Sequence, residues 1–147
     1  MDIDANKLTP KEFDELIVKL CPKLYVDRYA DKMHTCMCWG FDIASGWQKI
    51  VLELSLQLEE LINKLPVAKQ TAYKAVQVKE KLGTLRFYIS SETDEMYELI
   101  LRAETASETT CEVCGNVGRL MHQNYWYKTL CDACATKLNY FEIIRDE

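Results

Sequence analysis

This chain lacks long apolar runs and an excess of positive charge, and each absence excludes a class of protein. No stretch of about 18 apolar residues occurs, so the sequence predicts no transmembrane helix and no membrane partner. The formal net charge is −5 at pH 7, which weighs against a general phosphate-binding surface. The first twenty residues are rich in charged side chains and contain no apolar signal-peptide core. With 48% hydrophobic residues, the chain can bury a core, so we expect a globular protein. Because neither a transmembrane helix nor a signal-peptide core is predicted, we expect it in the cytoplasm.

Cysteine, by contrast, is abundant, since the 147 residues contain seven. The number is odd and no export signal accompanies it, which favours a reducing compartment over a set of disulfides. Four of the cysteines form two Cys-x-x-Cys pairs, Cys111 with Cys114 and Cys131 with Cys134. Two intervening residues let paired sulfurs converge on one tetrahedral ion at about 2.3 Å. The spacing predicts one structural zinc ion per chain, bound by these four thiolates.

The residues around the cysteines predict how the site is built. Gly115 follows the first pair, as a tight knuckle requires. The sixteen residues between the pairs are long enough for a hairpin, and Asp132 begins a predicted helix. Knuckle, hairpin and helix in this order describe a treble-clef zinc finger. The Cys-x-x-Cys-Gly and Leu-Cys-x-x-Cys patterns superficially resemble GATA-type fingers.

The same finger argues against catalysis. Four thiolates fill a tetrahedral shell and leave no position for water or substrate. HNH nucleases with structural cysteines commonly place a histidine directly after the last cysteine, where this chain has Ala135. His122 alone cannot both bind a catalytic metal and activate water, so we expect it on the hairpin surface or as a donor to a metal ligand. We expect no enzymatic activity, with an HNH-like nuclease as a minor alternative.

The front of the chain predicts helices. Residues 9–12, Thr-Pro-Lys-Glu, form a capping box with proline at the first helical position, and an apolar helical face follows. A second, weakly helical stretch is expected over residues 23–33. The next segment contains side chains of the types that serve as metal ligands or as a nucleophile with its base: His34, Cys36 and Cys38. Because one residue between cysteines is poor chelate spacing, buried packing is the favoured interpretation.

A long central helix is predicted over residues 46–65. Its apolar residues recur with alternating steps of four and three, a heptad seam that fits a coiled-coil homodimer. Further apolar residues widen this stripe, which suits a core helix better. The seam consists of Trp47, Val51, Leu54, Leu58, Leu61 and Leu65, and the widening residues are Ile50, Leu52, Leu56 and Ile62. Homodimerisation through residues 46–65 remains an alternative to the core helix.

A β-hairpin is predicted between residues 75 and 89. Apolar and polar residues alternate along both strands, and the turn is expected near Leu82-Gly83, where glycine can take a positive φ. The core-facing residues are expected to be Val76, Val78, Leu85, Phe87 and Ile89. A helix capped by Ser91 or Thr93 should pack on the hairpin.

The candidate partner-binding residues come from two places. The outward side chains of the hairpin form a basic and aromatic cluster that fits a stacked base or a phosphate, or is simply solvated. The finger adds aromatic side chains of the kind that anchor protein interfaces, although internal packing accounts for most such residues. The candidates are Lys79, Lys81, Arg86, Tyr88, Tyr125, Trp126 and Lys128.

These elements define an α+β fold in which helices pack on a β-hairpin. A helical and hairpin core is assigned to residues 1–107, and a four-cysteine zinc-finger module to residues 108–147. The module is expected to dock on the core, because the polar run from Ser107 to Thr110 is too short for a flexible linker. Residues 111–147 hold four cations against five acids, which argues against tight DNA contact by the finger.

Four segments stand out in combination. They are Cys-Met-Cys-Trp-Gly-Phe at 36–41, Gly-Trp at 46–47, the Lys-Glu-Lys hairpin at 78–88, and residues 103–115, which run into the first cysteine pair. Together they resemble a family of small uncharacterised proteins encoded by bacteriophages and prophages. The resemblance covers about residues 36–137 of the chain. It implies a viral origin and, with it, the cytoplasm of a host cell.

The resemblance carries no settled activity, but it implies a class of function. Small acidic phage proteins without an active site often act by binding host machinery, and acidity suits a basic host surface. The sequence therefore predicts a non-catalytic zinc-binding accessory protein that binds a host macromolecule, foremost a protein, and inhibits a host or defence function. The alternative is a zinc-finger regulator that binds nucleic acid through Lys79, Lys81, Arg86 and Lys128.

Overall fold

The computed structural model describes residues 3–30 and 36–144. These residues form an α+β fold with two three-stranded sheets, which confirms the predicted fold class. The helices are α1 (Pro10–Leu20), α2 (Gln48–Lys64), α3 (Val67–Gln70), α4 (Asp94–Ser107) and α5 (Asp132–Leu138). The strands are β1 (Phe41–Asp42), β2 (Ala75–Lys81), β3 (Thr84–Ile89), β4 (Arg119–Gln123), β5 (Trp126–Leu130) and β6 (Phe141–Glu142).

Helix α1 begins where the capping box predicted it. Thr9 Oγ1 accepts a hydrogen bond from the Glu12 amide at 3.1 Å, and Glu12 Oε1 accepts one from the Thr9 amide at 3.0 Å. Each side chain thus satisfies an amide that has no partner within the helix. Phe13 and Ile17 are buried, whereas Leu20, at the end of the helix, is exposed. The local sequence therefore fixes both the start of α1 and the face that it buries.

The weak helix predicted over residues 23–33 is wrong for its described part, because residues 22–29 form turns. A buried acid on α2 explains the difference. The Glu59 carboxylate accepts hydrogen bonds from the Lys23 amide at 3.2 Å and the Leu24 amide at 2.8 Å. These two amides bind a side chain distant in sequence, and the chain there follows turns instead of a helical ladder.

Helix α2 lies at the centre of the core, as predicted. Its buried apolar residues are Val51, Leu52, Leu54, Leu58 and Ile62. Much of the predicted heptad seam is therefore packed inside the chain, where α2 contacts both α1 and α4. Leu56 is the most exposed of the predicted apolar positions. A homodimer through residues 46–65 would have to use that exposed edge, and it stays a prediction.

The cysteine-rich segment is more exposed than predicted. Cys36–Trp39 is a short 3₁₀ helix in which Met37 is buried, Cys38 is half-buried and Cys36 is exposed. The predicted burial is therefore wrong for Cys36. A 3₁₀ helix has three residues per turn, so neighbouring side chains point in different directions, and here Met37 is the one that faces the core. His34 lies outside the described residues.

The predicted hairpin forms between β2 and β3, with its turn at Leu82-Gly83. Both turn residues have a positive φ, +52° and +83°, the conformation that a two-residue hairpin turn favours. Three of the predicted core residues are buried: Val78, Leu85 and Phe87. The predicted alternation fails at Val76, which is only partly buried, because a bulge shifts the register between Ala75 and Gln77.

The two sides of this hairpin are covered differently. Strand β1 adds parallel to β2, and helix α4, capped by the Thr93 hydroxyl, lies along β3. Ser107 Oγ accepts a hydrogen bond from the Leu85 amide at 3.0 Å, and Glu104 Oε2 accepts one from the Phe87 amide at 3.0 Å. Side chains of α4 thus satisfy strand amides that a further strand would otherwise pair with, which protects this edge of the sheet.

The C-terminal region packs directly against the start of α2. Trp47 Nε1 donates a hydrogen bond to the Thr110 carbonyl at 2.8 Å, and the Gly46 amide donates one to the Glu112 carbonyl at 2.8 Å. A Cβ atom on Gly46 would lie 2.2 Å from the Cys111 carbonyl oxygen. Only glycine allows so close an approach, so the two parts of the chain meet backbone to backbone.

The buried hydroxyl of Ser107 generates a test of this fold. Its oxygen accepts from the Leu85 amide and donates to the Glu104 carbonyl at 2.6 Å. Ser107→Ala leaves the Leu85 amide without a partner, so we expect the free energy of unfolding in urea to fall by about 1–3 kcal/mol. Ser91→Ala, at an exposed position, is the matched control and should change it by less than about 0.5 kcal/mol. Equal losses in the two variants would contradict the role of Ser107.

Candidate metal centre

The first cysteine pair lies in a tight knuckle between α4 and β4. The Gly115 amide donates a hydrogen bond to the Cys111 carbonyl at 2.9 Å, and the Cys111 amide donates one to the Asn116 carbonyl at 2.7 Å. Gly115 has a φ of +85°, as predicted for the residue that closes a knuckle. Cys111 is buried and Cys114 is exposed, so the knuckle places one sulfur inside the molecule and one at its surface.

The second pair lies at the start of α5. Cys131 caps this helix, and its sulfur accepts a hydrogen bond from the Cys134 amide at 3.5 Å. That hydrogen bond above all lowers the pKa of Cys131 to about 7, because it stabilises the thiolate. Burial raises the pKa of Cys134 to about 12, and a bound cation would oppose this shift because it stabilises the thiolate.

The four sulfur atoms converge on one point. All lie within 4.8 Å of one another, and the sulfurs of Cys114 and Cys131 are 3.6 Å apart. A tetrahedral zinc ion with bonds of about 2.3 Å separates its ligands by about 3.8 Å. The cluster therefore fits one metal ion, and a donor set made only of thiolates is consistent with zinc. Within residues 3–30 and 36–144, no other group of histidine, cysteine or acidic side chains is so placed.

The segment between the two pairs folds as the predicted hairpin. Strands β4 and β5 pair antiparallel around Asn124 and Tyr125, and β6 adds to the other side of β4. His122 on β4 lies edge-on to Phe141 on β6, with ring centroids 6.5 Å apart. Ala135, where an HNH-like site commonly has histidine, belongs to the small apolar cluster of the finger. Strand β6 is an addition that the sequence patterns did not predict.

Two residues without a functional signal in the sequence, Glu112 and Thr129, lie beside the cysteine pairs and hydrogen-bond to each other. Glu112, only 2% exposed, donates its amide to the Thr129 carbonyl at 2.9 Å. Its carboxylate accepts from the Thr129 amide at 3.3 Å and from Lys128 Nζ at 2.9 Å. Burial raises the pKa of Glu112, and the hydrogen bond from Lys128 opposes that shift. No sequence pattern marks this acid as buried, because its burial requires β5 to lie beside the knuckle.

The predicted partner-binding residues lie on two different sheets. The hairpin of β2 and β3 carries Lys79, Lys81, Arg86 and Tyr88, and the hairpin of β4 and β5 carries Tyr125, Trp126 and Lys128. Lys79 lies directly opposite Arg86. Tyr125 and Trp126 are 92% and 72% exposed. Lys128 instead directs its ammonium group to the buried Glu112 carboxylate, so its charge is used within the molecule.

A comparison with protein families, curated proteins and solved structures finds no match for this chain. Among the described residues, no helix has both the length and the apolar character needed to cross a membrane. Among the described residues, the four cysteines are the group whose arrangement fits a metal ion.

Removal of one sulfur tests the ligand set. We expect Cys134→Ser or Cys111→Ser to lose the bound zinc and unfold the finger, because a serine hydroxyl is a poor substitute for a thiolate and metal binding drives the folding of such modules. The readout is zinc content by mass spectrometry after gel filtration. Cys36→Ser, which removes an exposed cysteine outside the cluster, should keep one zinc per chain. Full zinc content in Cys134→Ser would refute the proposed ligands.

Proposed function

We propose that this chain is a non-catalytic, zinc-stabilised protein that binds another macromolecule, foremost a protein, through the end of its finger. The observation that carries the proposal is the exposure of Tyr125 and Trp126, 92% and 72%. We call these two residues the aromatic tip. They lie at the turn between β4 and β5, and the cysteines flank the opposite end of this hairpin.

The core of the finger does not include the aromatic tip. That core consists of Cys111, Met121, Leu130, Cys134 and Ala135, with Cys131 and Tyr140 packed against it. Phe141 on the same sheet is also 62% exposed. Large aromatic side chains at the surface are enriched in protein interfaces, where they bury much apolar area at a low cost in conformational entropy. A role outside the molecule explains their exposure.

The metal in this proposal has a structural role. Four thiolates complete a tetrahedral shell, so the coordinated ion has no position for water or substrate. A bound zinc ion would instead hold both ends of the β4–β5 hairpin, because Cys114 precedes β4 and Cys131 follows β5. The ion thereby fixes the hairpin that presents the aromatic tip, and the protein needs the metal for shape.

The resemblance to phage and prophage proteins suggests the kind of partner. It favours a host protein, with inhibition of a host or defence function as the result of binding, in the cytoplasm of the host cell. The net charge of −5, made more negative by four zinc-bound thiolates, favours a partner with a basic surface. An acidic surface also speeds the encounter with such a partner.

Capture of the partner tests this proposal. Tagged, zinc-loaded protein is used as bait in a nuclease-treated bacterial lysate, and the captured protein is identified by mass spectrometry and purified for titration calorimetry. We expect Tyr125→Ala and Trp126→Ala each to weaken binding by at least about tenfold, as interface anchors do. The matched control is Tyr97→Ala, which removes a tyrosine that is 52% exposed on α4. Equal binding by all variants would exclude the aromatic tip as the interface.

Nucleic-acid binding is the second candidate, and one observation favours it. Lys79 and Arg86 face each other across β2 and β3, and Tyr88 is exposed on the same hairpin. No ion pair within the described part of the chain involves either cation. Like charges directly opposite each other destabilise a sheet by a few tenths of a kcal/mol. A bound phosphate would relieve that repulsion.

Salt dependence separates this second candidate from the first. If Lys79 and Arg86 contact phosphates of a single strand, each contact contributes about 0.7 to the slope of log affinity against log salt. The double variant Lys79→Gln, Arg86→Gln should then lower the slope by about 1.4. Lys137→Gln, at an exposed position on α5, should leave the slope unchanged. If the parent protein shows no salt-sensitive binding of nucleic acid at low salt, nucleic-acid binding is excluded as the function.

A further inference from the structure

The turn of the β2–β3 hairpin packs against strands β4 and β5 of the zinc finger. Thr129 Oγ1 on β5 donates a hydrogen bond to the Gly83 carbonyl at 2.6 Å. A Cβ atom on Gly83 would lie 2.6 Å from Leu120 Cδ1 and 3.3 Å from the Lys128 carbonyl carbon. Thr129 and Gly83 are both buried. The hairpin and the finger therefore meet at a tight, specific contact between elements that are distant in the sequence.

Glu112 and Thr129 connect this contact to both cysteine pairs. Glu112 follows Cys111 directly, and Thr129 precedes Cys131 by two residues. The two residues are joined by two hydrogen bonds, one from each amide. Each also binds the core, since the Glu112 carbonyl accepts from the Gly46 amide at 2.8 Å and the Thr129 hydroxyl donates to Gly83. These hydrogen bonds thus connect the segments that carry the two cysteine pairs to each other. They also connect both segments to the core, at Gly46 and at the β2–β3 turn.

We propose that Glu112 and Thr129 are positioning residues for the metal, and that docking of the β2–β3 turn raises the metal affinity of the finger. The two cysteine pairs must be held side by side when the ion binds. Contacts that hold them together beforehand reduce the entropy lost on binding, and the coupling between two such sites typically amounts to about fivefold to 150-fold in affinity.

The coupling works in both directions. Linkage requires that if the docked turn strengthens metal binding, bound metal strengthens docking of the turn by the same factor. Zinc occupancy would therefore also fix the β2–β3 hairpin, the element that carries Lys79, Lys81 and Arg86. This inference needs no partner molecule, and it stands or falls independently of the aromatic tip.

The first test is the zinc affinity of Thr129→Val, measured by competition with a chromogenic chelator. The variant keeps the size of the side chain but leaves the Gly83 carbonyl without its donor, so we expect the zinc affinity to fall about fivefold to 150-fold. Thr129→Ser keeps the hydroxyl and should restore affinity close to that of the parent. The control is Thr84→Val, because the Thr84 hydroxyl donates within the hairpin, to the Lys81 carbonyl at 3.1 Å.

If Thr129→Val binds zinc as tightly as the parent protein, the proposal is overturned. It is also overturned if Thr129→Ser binds zinc as weakly as Thr129→Val. If Thr129→Val does not fold, Glu112→Met is measured in its place, because it keeps a side chain of similar length but removes the acceptor of the Thr129 amide. An unchanged affinity would again overturn the proposal. The absorption spectrum of the Co²⁺-loaded variants provides a second readout. We expect weakened variants to show altered thiolate-to-metal bands, because the ligands are less well held.

The second test is hydrogen exchange of the parent protein with and without zinc. We expect removal of the metal by a chelator to accelerate exchange of the amides around the turn, residues 82–85, while the amides of α1 keep their protection. Unchanged exchange at the turn would overturn the coupling. Equal loss of protection at the turn and in α1 would overturn it too, because the effect would then be global unfolding.

Discussion

Four sulfur atoms that meet at a single point constrain the whole C-terminal part of this protein. Their convergence requires the knuckle at Cys111 and Cys114 to lie beside the start of α5, and therefore requires the intervening chain to double back as β4 and β5. The constraint is severe, because a metal–thiolate site tolerates only small errors in distance. The chain next to the knuckle is drawn into the interior with it, as the nearly inaccessible Glu112 side chain shows.

Small residues and a buried acid make the finger and the core one packed unit. Gly46 and Gly83 both lie where a side chain would collide with the finger, so the backbone just before α2 and the β2–β3 turn approach it directly. The Glu112 carbonyl accepts from the Gly46 amide, and the Thr129 hydroxyl donates to the Gly83 carbonyl. Lys128 compensates the charge of Glu112 at 2.9 Å. Within the described residues, every buried side-chain nitrogen and oxygen has a hydrogen-bond partner. A junction of this kind transmits strain well, because neither side has room to relax.

The two ends of the β4–β5 hairpin differ in their surroundings. One end of the β4–β5 hairpin lies between the cysteine pairs and the core, and the other end projects Tyr125 and Trp126 into solvent. A closed thiolate site suits a structural ion, whereas exposed aromatic side chains suit recognition. Under the proposed function, this separation would let a bound metal determine the shape of the binding surface without taking part in binding.

Tertiary contacts overrode the local patterns at identifiable places. The predicted helix over residues 23–33 gives way to turns in its described part, because Glu59 binds the amides there. Val76 leaves the core face because of a bulge, and Cys36 is exposed because Met37 fills the core position. At residues 23 and 24 the competing interaction comes from a distant element, which a short sequence window does not contain.

The sequence by itself determined the features whose physics is local. Cysteine spacing defined the four ligands, the capping box at Thr9 defined the start of α1, and alternation around Leu82-Gly83 defined the central hairpin, since each pattern acts within a few residues. Only the tertiary structure decided that Glu112 is buried, that Lys128 is occupied by it, and that the hairpin turn contacts the finger. Burial of a polar group depends on what packs over it, and those neighbours come from parts of the chain that meet only on folding.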